Sequence, residues 1–313
     1  MKHKLTFKIL ITTTLLKTAP GLAEVDLSNG SFIVRDHQSP LMNVYNSRSV
    51  HQGLLGMGWC SPYEDSIDPI NKTILKLRDC KAGRVMAFRA AAPTIRSPSS
   101  ETQNYENGEQ KIVETNNKFI LSGEYGVRTF DKNGKLLEIK DERGKLAKLI
   151  YDKNGYLKEI ISGRKDSLKL MVDPRTGRAV EVTDHQGART RLTFLNGNLI
   201  SSASASTTKY YKYDALANLT DVVEGNKTTS VSYSIDDRVR SVKVAPDCKE
   251  TYLYSRDGLT SQTEVNTNCR GINNKRLVDF FYSKDSSGEL VLDKVLTKNM
   301  QLRLPANSKQ GLQ

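Results

Sequence analysis

Few residues in this chain could carry covalent or acid–base chemistry. Four histidines and four cysteines occur among 313 residues, too little material for a multi-metal enzyme. Asp36 and His37 precede Ser47, so a Ser/His/Asp grouping can be drawn. Such a triad is defined by geometry, however, and no nucleophile-elbow motif accompanies it. His185 stands between Asp184 and Gln186-Gly187, where turn chemistry accounts for it. There is neither a phosphate-cradling Gly-rich loop nor a His-Glu-x-x-His pattern. Turn carboxylates are plentiful enough for a glycosidase pair, but solvated turn acids explain them more simply. The expectation is therefore no catalytic residue, no metal and no cofactor.

The cysteines Cys60, Cys80, Cys248 and Cys269 are even in number, as in a disulfide framework of an exported protein. Three connectivities are open. Separations of 20 and 21 residues favour Cys60–Cys80 and Cys248–Cys269, because a hairpin arm of about ten residues brings such partners side by side. A zinc site is the weaker reading, since no Cys-x-x-Cys and no nearby His pair occurs. An oxidising compartment agrees with the N-terminus. Lys2, Lys4 and Lys8 precede an apolar run from Ile9 to Leu16, and small residues follow at Gly21 and Ala23. This pattern predicts a secretory signal peptide over residues 1–23, cleaved after Ala23. Its removal takes four lysines and no acid, lowering the formal charge from +12 to +8. The mature chain has no apolar run long enough to predict a transmembrane helix.

For binding, Tyr210, Tyr211 and Tyr213 form the densest aromatic cluster. Tyrosines beside exposed lysines suit stacking on sugars and contacts to acidic groups, which favours an envelope glycan. The alternative is that Tyr211 and Tyr213 share one strand face and are core. Nucleic acid is not an expected partner of an exported chain. Seven lysines crowd residues 132–158, but acids such as Asp131, Glu138 and Asp152 interleave with them.

The elements that position these residues are set by an internal repeat. Phe130-Asp131-Lys132-Asn133-Gly134-Lys135-Leu136 returns as Tyr151-Asp152-Lys153-Asn154-Gly155-Tyr156-Leu157. Weaker copies begin at Val172-Asp173, Tyr213-Asp214, Tyr254 and Tyr282, with half-repeats at Asp141, Asp184 and Leu195. Turn glycines fall at 134, 144, 155, 177, 187 and 197, a period of ten, or twenty for a full hairpin. Asn-Gly and Asp-x-x-Gly place residues that tolerate positive φ where a tight reversal needs them. The Asp can accept hydrogen bonds from turn amides, and the aromatic and Leu can pack across the strand pair. Segments between turns are too short for helices and rich in strand formers. The chain should be nearly all β. Ser201–Thr208 reads equally as a thinly packed strand or a loop.

The iterated aromatic-Asp…Gly-x-Leu unit resembles the YD repeat of the RHS family. Upstream, Val25-Asp26-Leu27-Ser28-Asn29-Gly30 is followed by Val44-Tyr45-Asn46-Ser47-Arg48-Ser49 and by Gly53-Leu54-Leu55-Gly56-Met57-Gly58-Trp59. This string is similar to the segment that opens the core of RHS proteins, and it singles out Tyr45, Asn46, Arg48, Gly56, Gly58 and Trp59, beside Tyr151, Asp152 and Gly155 of the repeat. The two resemblances cover residues 25–68 and 126–290. They imply antiparallel hairpins wound into a spiral or partial shell, which in bacterial members can enclose a toxin and in teneurins stands on the cell surface. The chain departs from the long members: Val295 to Gln313 is short and polar, with no toxin domain. Asp68-Pro69 and Asp173-Pro174 do not lie where a self-cleavage motif would, and Cys60 after Trp59 is unexpected.

The layout read from the sequence is a leader over 1–23, an opening β segment over 24–89 and a linker over 90–104. A repeat sheet over 105–295 and a polar tail over 296–313 follow. The expected function is that of an exported non-enzymatic YD-repeat protein, secreted or periplasmic, presenting a binding or structural β surface with a possible glycan ligand. The alternatives are an accessory shell fragment that joins another RHS/YD-repeat protein of a toxin system, and a cell-envelope hydrolase.

Overall fold

The computed structural model describes residues 23–91, 102–107, 110–123, 126–163, 166–244, 247–284 and 290–301. All of the expected leader but Ala23, most of the linker and most of the tail lie outside them. The all-β expectation is borne out: 68% is strand, with an open antiparallel sheet of 22 strands. Among the described residues there is no α-helix, and no helix long and apolar enough to cross a membrane. One short 3-10 turn, Pro62–Glu64, carries a capping box in which Ser61 and Glu64 bond each other's backbone.

By compactness the chain divides at Phe32 and Lys227 rather than at the sequence boundaries. In the unit Ile33–Asn226, successive strands from Ser66–Asn71 to Leu219–Glu224 each run antiparallel to the one before. Their inward residues alternate, as Leu75 and Leu77 do on Ile74–Asp79. Ser201–Thr208 resolves into both readings. Ser201 to Ala203 complete the strand Asn198–Ala203, and Ser204 to Thr207 turn into Thr208–Tyr213.

The repeat is one turn used again and again. At the first full copy, Asp131 N–H donates to the Lys135 carbonyl and Gly134 N–H to the Asp131 carbonyl, at 2.8 and 2.9 Å. The Asp131 carboxylate oxygen accepts from the amides of Asn133 and Lys135, both at 2.9 Å. Asp141, Asp152, Asp184 and Asp214 accept in the same way from residues two and four ahead. The fourth position has positive φ, taken by Gly134, Gly144, Gly155 and Gly187, and by Ala217 in the Asp214 copy. A bulge then sets the aromatic against the apolar residue after the turn: Phe130 faces Leu136, Tyr151 faces Leu157, and Tyr213 faces Leu219. Those three leucines are buried. The Tyr151 and Tyr213 hydroxyls donate to the carbonyls of Leu136 and Leu199, at 2.6 and 2.7 Å.

The other unit joins the stretch up to Phe32 with the chain from Lys227 onward. Its longest strands are Cys248–Asp257, Thr260–Cys269, Ile272–Lys284 and Leu290–Gln301. Two consecutive positive-φ residues, Arg270 and Gly271, close the hairpin between the second and third of these. Val25, Leu27 and Phe32 are buried here, and the Leu27 carbonyl accepts from the Thr263 hydroxyl at 2.7 Å.

Candidate functional site

The opening segment is a strap laid along the hairpin turns. Within the Ile33–Asn226 unit, Ile67 N–H donates to the carbonyl of Gly134, and Ala179 N–H donates to the carbonyl of Leu54, both at 2.9 Å. Met57 N–H reaches the Gly197 carbonyl at 3.2 Å, and the Tyr45 hydroxyl accepts from Leu219 N–H at 2.9 Å. The partners fall at or just after the turns at 134, 177, 197 and 217, two hairpins apart at the first interval and one hairpin apart after it. The other unit repeats the contact, with Val239 N–H donating to the Gly30 carbonyl at 2.9 Å.

This strap explains the residues singled out upstream. Tyr45, Trp59 and Tyr211 pack in sequence, with ring centroids 5.3 and 5.0 Å apart, and the Trp59 indole N–H donates to the Tyr213 hydroxyl at 2.9 Å. Asn46 bonds the Gly83 carbonyl at 2.6 Å and accepts from Arg48 N–H at 2.9 Å. Gly56 and Gly58 have φ of +84° and +75°; a Cβ would lie 2.4 Å from the Gly197 oxygen at one and 2.7 Å from the Tyr45 ring at the other. Of the tyrosine cluster, only Tyr210 presents its side chain to solvent, at 55% exposure; Tyr211 is buried and Tyr213 half-buried. The three do not form one surface. Strand alternation turns Tyr210 away from the other two, so the expected sugar platform is not assembled there and the core reading of Tyr211 and Tyr213 is the one the structure shows.

Two buried ionic clusters, missed in the sequence, stand in the same unit. Lys209 donates to Asp36 at 2.8 Å with both side chains 4% exposed, and Gln38 lies 3.4 Å from the same ammonium. That bond commits Asp36, while His37 is exposed, so the Asp36/His37/Ser47 grouping is not assembled. Arg128 lies between Asp65 and Asp79, in contact with the first and 3.2 Å from the second. Burial pushes the Asp65 carboxyl up to about 7; Arg128 opposes that shift and Asp79 adds to it.

Elsewhere, His51, Cys60 and Glu64 place one donor atom each within 4.8 Å of one another. The sulfur is committed to Cys80, however, and the two Glu64 oxygens accept from Leu54 and Ser61 amides at 2.7 and 2.9 Å. That donor set does not fit a metal ion. His185 sits at its turn, 39% exposed and 3.9 Å from Asp166. The cysteines pair as Cys60–Cys80 and Cys248–Cys269, with Cα atoms 5.3 and 4.0 Å apart.

The second disulfide clips the end of a groove of about 1110 Å³ in the Lys227-onward unit, lined mainly by Ser, Thr, Asn and Lys. Strand register builds its floor. Ser230 faces Lys243, Lys243 faces Lys249, Lys249 faces Asn268, and Asn268 faces Asn273. A parallel row runs Ser232, Ser241, Thr251, Asn266. Directly opposed residues share one sheet face, so both rows line one side. The other side carries Val231, Val242, Tyr252 and Val265, all buried. A smaller depression of about 410 Å³ adjoins it, edged by Tyr233, Arg240 and Leu253. No single-sequence signal marks this groove, because it exists only once register aligns five strands.

No protein-family model matches the chain, and no curated protein matches it. Among solved structures it is similar to TcdB2-TccC3 without the hypervariable C-terminal region, with 12% identity and a TM-score of 0.33 over 87% of this chain and 16% of that one. It is also similar to TcdB2-TccC3, at 11% identity and a TM-score of 0.31 over 87% and 17%. The chain spans about a sixth of the length of these two.

Proposed function

We propose that the chain is an exported YD-repeat protein of the RHS type that acts without catalysis, as a binding and structural β surface at the cell envelope or outside the cell. The observation that carries this reading is the groove: a polar face aligned across five strands, open to solvent and clipped by Cys248–Cys269. The side chains that could do chemistry support it from the other direction. Asp36, Glu64 and Asp65 each hold a structural bond, and the repeat aspartates hold their turns. Two disulfides are compatible with an oxidising, secreted or periplasmic location. A wide sheet with its turns strapped in place has little conformational entropy left to lose on binding, which favours affinity from many weak polar contacts.

The test is co-sedimentation of the full protein with isolated envelope polysaccharide, followed by mass analysis of the polymer. The expected result is retention in the pellet with the polymer unchanged in length. Shortened polymer would replace this reading with a hydrolase, and protein left wholly in the supernatant would remove the binding role.

A further inference from the structure

Where two charged residues oppose each other across this protein's strands, the signs are usually opposite. Glu138 faces Lys148, Glu159 faces Lys169, Glu181 faces Arg191 and Lys209 faces Glu224. Lys243 and Lys249 are the exception. They are directly opposed across Val239–Val244 and Cys248–Asp257, and among the described strand pairs theirs is the one like-charged pairing. Both are exposed, and among the described residues neither makes an ion pair. Like charges directly opposite cost stability, with Cβ atoms only about 5 Å apart.

We infer that Lys243 and Lys249 form the anion-reading centre of the groove, and that its ligand is an acidic polysaccharide bound across the strands; this rests on the binding reading above. Three features select the chemistry. The lysine pair supplies a concentrated positive field, and Arg270 at the clipped hairpin end adds a third cation against Asp247. Asn268 and Asn273 offer amides that both donate and accept, as arrays of sugar hydroxyls require, while Asn266 already donates to Glu264 at 2.9 Å and keeps its oxygen as an acceptor. The row crosses five strands, roughly 19 Å at about 4.8 Å per strand, so the floor suits an extended chain rather than a single small anion.

The experiment is calorimetric titration of the full protein with a heparin-derived hexasaccharide, neutral chitohexaose and phosphatidylglycerol vesicles. Wild type, K243Q/K249Q and K249E are compared. Wild type should bind the sulfated hexasaccharide, more weakly as salt rises, and bind neither the neutral sugar nor the vesicles. K243Q/K249Q should lose at least tenfold in affinity. K249E creates an opposite-charge pair with Lys243, so it should lose binding while melting at or above the wild-type temperature, which separates loss of the site from loss of the fold. Equal binding by K243Q/K249Q would overturn the inference and leave the general binding reading standing. Equal affinity for the neutral sugar, binding only to vesicles, or no binding to the hexasaccharide would each overturn it as well. Failure of the broader reading shows separately, as no retention on whole envelope polysaccharide.

Discussion

Trp59 donates its indole N–H to the hydroxyl of Tyr213 at 2.9 Å, across 154 residues of chain. The tyrosine passes the bond on to the Leu199 carbonyl at 2.7 Å. One residue of the strap is thereby fastened to the aromatic of a repeat, and both belong to the sequence patterns that mark the chain. Removing the indole leaves a large cavity among Tyr45 and Tyr211. Trp59→Ala should therefore cost about 3–5 kcal/mol, and Tyr213→Phe about 1 kcal/mol. Urea unfolding measures both; equal losses would mean that packing contributes nothing beyond the hydrogen bond.

Lys209 and Asp36 form a buried pair whose halves cannot be removed singly without stranding a charge. Lys209→Met should destabilise by about 3–5 kcal/mol, and Lys209→Met with Asp36→Leu by much less. A double variant as unstable as the single one would contradict this.

The turns predict a contrast between glycines of nearly equal φ. Gly134 (φ +79°) would put a Cβ 1.6 Å from the Ile67 oxygen, whereas Gly187 (φ +83°) has nothing within 4 Å. Gly187→Ala should cost only the backbone term of about 1–2 kcal/mol. Gly134→Ala should cost clearly more, because the strap must move. Paired thermal melts decide it, and equal shifts would show that the strap does not bear on that turn.

Asp65 gives a pH signature. Its folded pKa, pushed up to about 7 chiefly by burial, lies above the ordinary carboxylate value. The folded state therefore holds that proton more tightly than the unfolded one, and stability from this group falls as pH rises, levelling off above about 7. Stability should fall from pH 5 to 7, and Asp65→Asn should remove that fall. Asp166 and Glu264 act oppositely. Hydrogen bonds from Lys145 and Lys275 lower their pKa values, so their contribution is present above the unfolded value and lost as pH falls below about 4. Unfolding free energies across pH 3 to 8 test both arms; a rise in stability from pH 5 to 7 in wild type would refute the Asp65 arm.

Reduction should lower stability by about 2–5 kcal/mol for each disulfide and broaden the unfolding transition. Scanning calorimetry with and without strong reductant checks it, and an unchanged profile would deny the clips a structural role.

What could be read in advance was local. Asp-x-x-Gly encodes its own turn, since the carboxylate and the amides it binds lie within four residues; the period and the strand class follow from that. The disulfide pairs were legible because hairpin arms equalise their separations. Long-range partners were not: Asp36 carries no sign of Lys209, 173 residues away, nor Asp65 of Arg128. Tyr210, Tyr211 and Tyr213 looked like one cluster because sequence adjacency hides the alternation of strand faces. Lys243 and Lys249 look ordinary in sequence, and only the register that opposes them makes them unusual.

The proposed role is to hold an envelope glycan without cutting it. Surface plasmon resonance of the full protein over immobilised envelope polysaccharide, with a reducing-end assay on the eluate, is the decisive measurement. Reversible, salt-sensitive binding with no new reducing ends is expected; new ends, or a flat response over the polysaccharide, would overturn the proposal.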